Sequence, residues 1–190
     1  MSEPVSALSG REARGTFTVR DRGPRGMITV KGDLSDKGFR KACTGVTGTD
    51  FPDQRRVARS GDMALGWMAP DEVLIMVPRA GVSGALAALE SALAGTHHLA
   101  VDVSDARAVI GLEGPAVREG LARLTPADLH PAGLPTGELR RTRIGQVAAA
   151  FWLKDAASAE VICFRSVAAY VFDLLANAAQ GEAVGHLPDG

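Results

Sequence analysis

The segment Leu99 to Leu124 constrains the fold of this chain most, because it reads strand, polar turn, strand and helix start in fixed order. Leu99 to Val103 and Ala106 to Leu112 are apolar runs of strand length, and Ser104-Asp105 between them supplies turn chemistry. Gly114-Pro115 follows. Proline's fixed φ and missing N–H suit the first helical position, so Val117, Leu121 and Leu124 form one stripe of a helix that Pro126 ends. Gly120 inside that helix costs about 1 kcal/mol relative to alanine, which indicates close packing. Met27 to Lys31, Gly32-Asp33 and the segment to Cys43 repeat the strand, glycine turn and helix, so 27–43 and 106–122 suggest an internal pseudo-repeat.

This order predicts an α+β fold of two β-β-α-type halves, with mainly antiparallel sheets and helices packed on one side. The divisions expected are a flexible arm over 1–13, an N-terminal half over 14–96, a C-terminal half over 97–181 and a tail over 182–190. In the first half, a strand at 16–20 forms a hairpin with 27–31 through Asp21-Arg22-Gly23-Pro24. Asp33 or Ser35 caps a helix to Cys43 with Gly45 as its stop, and a loop runs to Arg59. A second hairpin pairs 62–68 with 72–77, and Ser83 caps a helix to Ala94 carrying Leu86, Leu89 and Leu93. In the second half, strands fall near 139–143, 146–153 and 160–164. Ser166 then caps a last helix to residue 179, striped by Val167, Tyr170, Val171, Leu174, Leu175 and Ala178.

Nearly half of the 190 residues are apolar (46%), enough for one large or two small cores. Basic and acidic residues nearly cancel, 21 against 22, so the total charge gives no reason to expect a nucleic-acid partner. The apolar run Val161 to Ala178 is interrupted by Arg165 and Asp173 and falls short of the roughly 20 residues of a membrane span. Met1-Ser2-Glu3-Pro4 does not resemble a secretory leader, and a cytoplasmic location is expected. Cys43 and Cys163, far apart among apolar neighbours, read as buried free thiols.

Dinucleotide or phosphate cradling needs G-x-G-x-x-G or G-K-[ST] at a helix N-terminus. Gly45-Val46-Thr47-Gly48 and Gly81-Val82-Ser83-Gly84 are neither and read as turn glycines. His97 and His98 are adjacent, so in a strand they face opposite sides and do not share a metal; a solvated pair is expected. His130 beside Asp128 reads as a structural loop or an acid–base pair, and His186 lies in the polar tail. Asp102, Ser104, Asp105 and Arg107 form a compact turn that is either an Asx-type device or a contact for an amine or a folate ring. Arg55, Arg56 and Arg59, like Arg140, Arg141 and Arg143, mark either a solvated strand edge or an interface with an acidic partner, and Arg165 can also reach across an interface. Trp67, Trp152 and Tyr170 read as core. No catalytic, cofactor-binding or metal residue is assigned.

Several of these motifs together resemble a known family. Asp102-Val103-Ser104, Gly114-Pro115 and Asp128-Leu129-His130 look like the central signature of the gamma subunit of heterotetrameric sarcosine oxidase. Thr142-Arg143 before a strand agrees, as does Phe164-Arg165-Ser166-Val167 before a helix with Tyr170, Asp173 and Leu174-Leu175. Gly32-Asp33 and Ala69-Pro70-Asp71-Glu72 are similar to turns of the same family. The resemblance implies a fold like part of the aminomethyltransferase, or glycine cleavage T-protein. It also implies a non-catalytic subunit of a complex that oxidatively demethylates sarcosine to glycine. FAD, FMN, NAD and tetrahydrofolate then belong to the partner alpha and beta subunits, and a delta subunit carries zinc. The folate-contacting acidic segment of T-protein relatives has no counterpart here, nor does the K-G-C-Y-x-G-Q-E motif of iron-sulfur maintenance factors. The alternatives are a stand-alone tetrahydrofolate-binding protein of that superfamily or a non-catalytic interaction module.

Overall fold

The computed structural model describes residues 5–182. The chain opens with β1 (Glu12–Arg14) and β2 (Thr18–Asp21), followed by β3 (Gly26–Lys31) and α1 (Lys37–Thr47). β4 (Val57–Ser60), β5 (Met63–Ala69), β6 (Glu72–Val77), α2 (Val82–Ala92) and β7 (Leu99–Asp102) come next. The last elements are β8 (Arg107–Glu113), α3 (Val117–Ala122), β9 (Leu139–Ile144), β10 (Val147–Asp155), β11 (Ser158–Phe164) and α4 (Ala168–Gln180).

The strands form two antiparallel sheets, of order β1-β2-β8-β11-β10-β9 and β4-β5-β6-β3-β7. Each sheet lies in its own compact unit: Arg25–Asp105 forms one, and Met1–Pro24 with Ala106–Gly190 forms the other. In the central unit, Ile28, Val30, Val73 and Ile75 of the sheet pack under Phe39 and Cys43 of α1 and Leu89 of α2. In the discontinuous unit, Ile110, Leu112, Phe151 and Val161 pack under Val117 and Leu121 of α3 and Val171 and Leu175 of α4. This is an α+β fold with mixed helices and antiparallel sheets, as the element order predicts.

The units are two copies of one pattern. β3-α1-β4-β5-β6-α2 corresponds to β8-α3-β9-β10-β11-α4, and both sheets keep the matching order, so the pseudo-repeat is real at the level of topology. The strand beside β3 is β7, which follows α2, whereas the strand beside β8 is β2, from the start of the chain. The second copy is thus completed by a strand that precedes the first copy in the chain.

That arrangement corrects the expected hairpins. β2 and β3 belong to different sheets, as do β7 and β8, so Asp21 to Pro24 and Ser104 to Ala106 are crossings between units. The division expected at 96/97 gives way to boundaries at 24/25 and 105/106. Polar turn residues look alike whether the next strand folds back or leaves for another sheet.

Within the arm expected over 1–13, the described part is packed. Leu8 is 1% exposed and β1 pairs with β2. Asp21, itself buried, accepts from the Gly10 N–H at 2.9 Å, and Arg11 meets Asp173 of α4 at 2.5 Å. The loop expected up to Arg59 contains β4, an edge strand. Helix starts also differ. Asp36, neither Asp33 nor Ser35, caps α1 by accepting from Phe39 N–H at 2.7 Å, and Gly48 at φ 64° ends that helix three residues beyond Gly45. Short 3₁₀ turns, Arg79–Gly81 and Arg165–Val167, lead into α2 and α4, so Ser83 and Ser166 do not cap them. On α4, Phe172 is buried whereas Tyr170 is 41% exposed and Leu174 only half-buried, so the buried stripe is rotated from the one expected. Gly120 does serve close packing: a Cβ there would collide with the Phe17 ring.

Candidate functional site

The Asp102-Val103-Ser104 turn closes the central unit. Asp102 Oδ1 accepts from the Ser104 N–H at 2.9 Å and from its hydroxyl at 2.5 Å. The buried Ser104 Oγ also accepts from the Met27 N–H at 2.9 Å, which ties the turn to the start of β3. Arg79 donates to Asp102 Oδ2 at 3.4 Å and to Asp105 Oδ2 at 2.7 Å. Burial pushes the Asp102 carboxyl up, but the Ser104 hydrogen bonds and Arg79 outweigh it and leave its pKa below the ordinary value. The geometry is an Asx-type clasp reinforced by an arginine. Arg107 opens β8, and its guanidinium lies 5.8 Å from the Phe164 ring centroid.

Asp128-Leu129-His130 forms a second clasp, in the discontinuous unit. Asp128 Oδ1 accepts from the main-chain N–H of His130 at 2.9 Å, while His130 Nδ1 accepts from the Ala132 N–H at 3.2 Å. The main-chain hydrogen bonds take the place of the acid–base pairing considered for these two side chains. Leu129 is buried, and its carbonyl and that of Leu134 accept from Arg118 Nη1 at 2.8 and 3.1 Å. Arg140 adds a bond to the Gly133 carbonyl at 2.5 Å and pairs with Glu138. Arg118 is 6% exposed, and sequence reasoning missed it because the carbonyls it holds lie 11 and 16 residues downstream. An arginine on the α3 stripe just before a proline-rich loop was the available signal.

The remaining candidates are dispersed. His97 is exposed in the loop before β7, and His98 Nδ1 contacts the Thr96 carbonyl at 2.8 Å. His186 lies outside the described residues. Cys43 and Cys163 are free and buried, and burial raises their thiol pKa values to about 12 and about 11. Arg59 lies on the edge strand β4, and Arg141 and Arg143 on its counterpart β9, where exposed charge protects open edges. Arg55 and Arg56 lie just before β4 and are exposed, as is Arg165 in its 3₁₀ turn. Trp152 is buried, and Trp67 packs partly buried against the central core. Among the described residues no group of three or more His, Cys, Asp or Glu is placed to hold a metal ion, and no helix is long and apolar enough to cross a membrane.

Both clasps coincide with the motifs that carried the family resemblance, and the known relatives agree. The sarcosine oxidase gamma subunit family model matches residues 31–181. A sarcosine oxidase subunit gamma from Arthrobacter sp is 33% identical over 150 residues, 78% of this chain and 72% of that protein. Among solved structures, a chain of heterotetrameric sarcosine oxidase from Corynebacterium sp. U-96, in complex with pyrrole 2-carboxylate, matches with a TM-score of 0.80 at 24% identity over 91% of each chain. The aminomethyltransferase T of the glycine cleavage system from Bartonella henselae matches with a TM-score of 0.63 at 15% identity, over 90% of this chain and 48% of that one. The structural likenesses establish a T-protein-like fold, and the sequence matches, extending through both repeats, show that this chain belongs to the sarcosine oxidase gamma subunit family.

Proposed function

We propose that this chain is a non-catalytic subunit of a multi-subunit, flavin-dependent sarcosine oxidase, contributing contact surface and stability to a complex that oxidatively demethylates sarcosine to glycine. The observation that carries this reading is the use made of its motif residues. Asp102, Ser104, Asp128 and His130 all hold main chain in place, so the family's signature works as scaffold in this chain. FAD, FMN, NAD and tetrahydrofolate then reside on the partner alpha and beta subunits, with a delta subunit completing the assembly. The buried, unpaired thiols suit the reducing cytoplasm.

The test compares the isolated full chain with the complex recovered through an affinity tag on it. The chain alone is expected to be colourless and inactive on sarcosine, and the complex yellow and active. A yellow, active lone chain overturns the proposal. A colourless chain that binds tetrahydrofolate tightly in calorimetry replaces it with the folate-binding alternative.

A further inference from the structure

Among the described residues the two sheets have four outer strands, β1 and β9 in one and β4 and β7 in the other. Three carry charge on the edge: Glu12 and Arg14 on β1, Arg141 and Arg143 on β9, and Arg59 on β4. β7 reads Leu-Ala-Val-Asp, and its Leu99 and Val101 are 50% and 41% exposed. Open edges are ordinarily protected by charge, because unpaired N–H and C=O groups template further pairing. β7 has that protection only at its last residue.

The repeat shows what such a strand takes. β2 occupies the position of β7 in the other unit, and its outer edge is covered by antiparallel β1, with Ala13 opposite Val19. On β7, the Val103 N–H bonds the Met27 carbonyl at 2.8 Å, which sets the alternation of the ladder. The main-chain groups of Val101 therefore face β3, and those of Ala100 and Asp102 point outward.

We propose that the free edge of β7 receives an extended segment of another subunit, added antiparallel as β1 is added to β2; this rests on the subunit reading above. The side chains define its chemistry. Leu99 and Val101 share one face and call for apolar residues at alternate positions. At the far end, Asp102 and the exposed Asp105 both pair with the same guanidinium, that of Arg79, so the segment carries Lys or Arg where it passes them. A second copy of this chain is disfavoured, since joining two four-residue edges falls well short of the roughly 800 Å² per partner of a stable interface. Within a larger assembly the strand adds to a wider contact.

Amide hydrogen exchange with residue-level fragmentation tests this on the isolated chain and on the tagged complex. Ala100 and Asp102 amides are expected to exchange at least about tenfold more slowly in the complex, while the Val101 amide, already bonded to β3, is slow in both. Assembly with unchanged rates at Ala100 and Asp102 overturns the edge proposal and leaves the subunit reading intact. Protection that grows with concentration in the isolated chain overturns it in favour of a second copy. Recovery of the chain without any other subunit overturns both. As a second measurement, the double variant Leu99→Lys, Val101→Lys is expected to keep the wild-type melting temperature and lose about tenfold in recovered complex. Undiminished recovery of complex from that variant counts against the edge.

Discussion

The two units share one topology and differ in what covers their second helix. Matching the 3₁₀ turns places Gly84 and Ala88 of α2 where α4 has Tyr170 and Leu174. In the discontinuous unit those side chains reach Gly145, in the β9–β10 turn, so closely that a Cβ there would lie 2.7 Å from Leu174 Cδ1 and Tyr170 Oη. In the central unit the corresponding turn residue, Gly61, has nothing within 4 Å of a Cβ. A groove of ≈ 650 Å³ lies between α1 and α2 instead, lined by Gly45, Gly84, Ala85 and Ala88 among others. The N-terminal segment deepens the contrast. Leu8, Arg11 and Thr16 pack against or bond to the α4 unit, completing one repeat, while the other keeps β7 as an open edge. One topology thus accommodates a closed copy and an open one, with the difference made by side-chain size and by the packing of the β1–β2 segment on the α4 unit.

The largest expected effect tests whether the cores are equivalent. Leu175 and Leu89 occupy matching positions and are both fully buried. Leu175→Asp and Leu89→Asp should each destabilise by about 4 kcal/mol or more in urea melts, because each buries an unpaired carboxylate. Asn177→Asp, exposed on α4, should stay within about 0.5 kcal/mol. A tolerated Leu89→Asp would show that the open copy lacks a core of the same kind.

The turn glycines separate the copies next. Both have φ of 55°, where an L side chain is strained. Gly61→Ala should cost about 1 kcal/mol from the backbone alone, whereas Gly145→Ala should cost about 2–3 kcal/mol because its Cβ also strikes Leu174 and Tyr170. Equal losses would remove the packing distinction.

Exchanging side-chain size is a gentler test. Leu174→Ala should cost about 2 kcal/mol by opening a gap under Gly145, while Ala88→Leu should lose nothing and gain up to about 1 kcal/mol by covering apolar groove surface.

The smallest effects lie in acid. Asp102 clasps the central unit, and Asp155 holds the β10–β11 turn by accepting from the Ser158 hydroxyl at 2.5 Å and the Ala157 N–H at 2.9 Å. Both carboxyls are depressed: the Ser158 hydrogen bond does so for Asp155, while for Asp102 burial opposes and is outweighed by Ser104 and Arg79. Their stabilisation is therefore present in full above the ordinary value of 3.8 and is lost as pH falls through the lower folded-state values. Asp102→Asn and Asp155→Asn should each shallow the loss of melting temperature on acidification below that point. An unchanged acid limb in either variant would exclude its carboxylate from that loss.

Most strands and helices were legible because their signals are local. Continuous apolarity marked β6, alternation marked β5, and leucine spacing marked α2. Gly120 marked close packing through its cost in a helix, and the fold supplied the Phe17 ring as the neighbour. β1 and β4 escaped notice because three or four polar-rich residues make strands only when a neighbouring edge is present. The clasp at Asp102 was readable as one of two alternatives, since an aspartate two residues before a serine specifies an Asx turn. Asp128 was likewise readable as one of two alternatives, a structural loop or an acid–base pair, whereas the Arg118 bonds to the Leu129 and Leu134 carbonyls appeared only in the folded loop.

The order of the elements other than β1 and β4, the repeated strand-glycine-helix segment, the buried thiols and the family signature were determined by the amino-acid sequence itself, because each depends on spacing over a few residues or on direct likeness. Pairing between strands was decided by the tertiary structure. An Asp-Arg-Gly-Pro or Ser-Asp turn specifies that the chain changes direction, but not which sheet receives the next strand. That choice depends on which buried faces the whole chain can satisfy together, so β2 joins β8 across 85 intervening residues, 22 to 106, rather than folding back on β3.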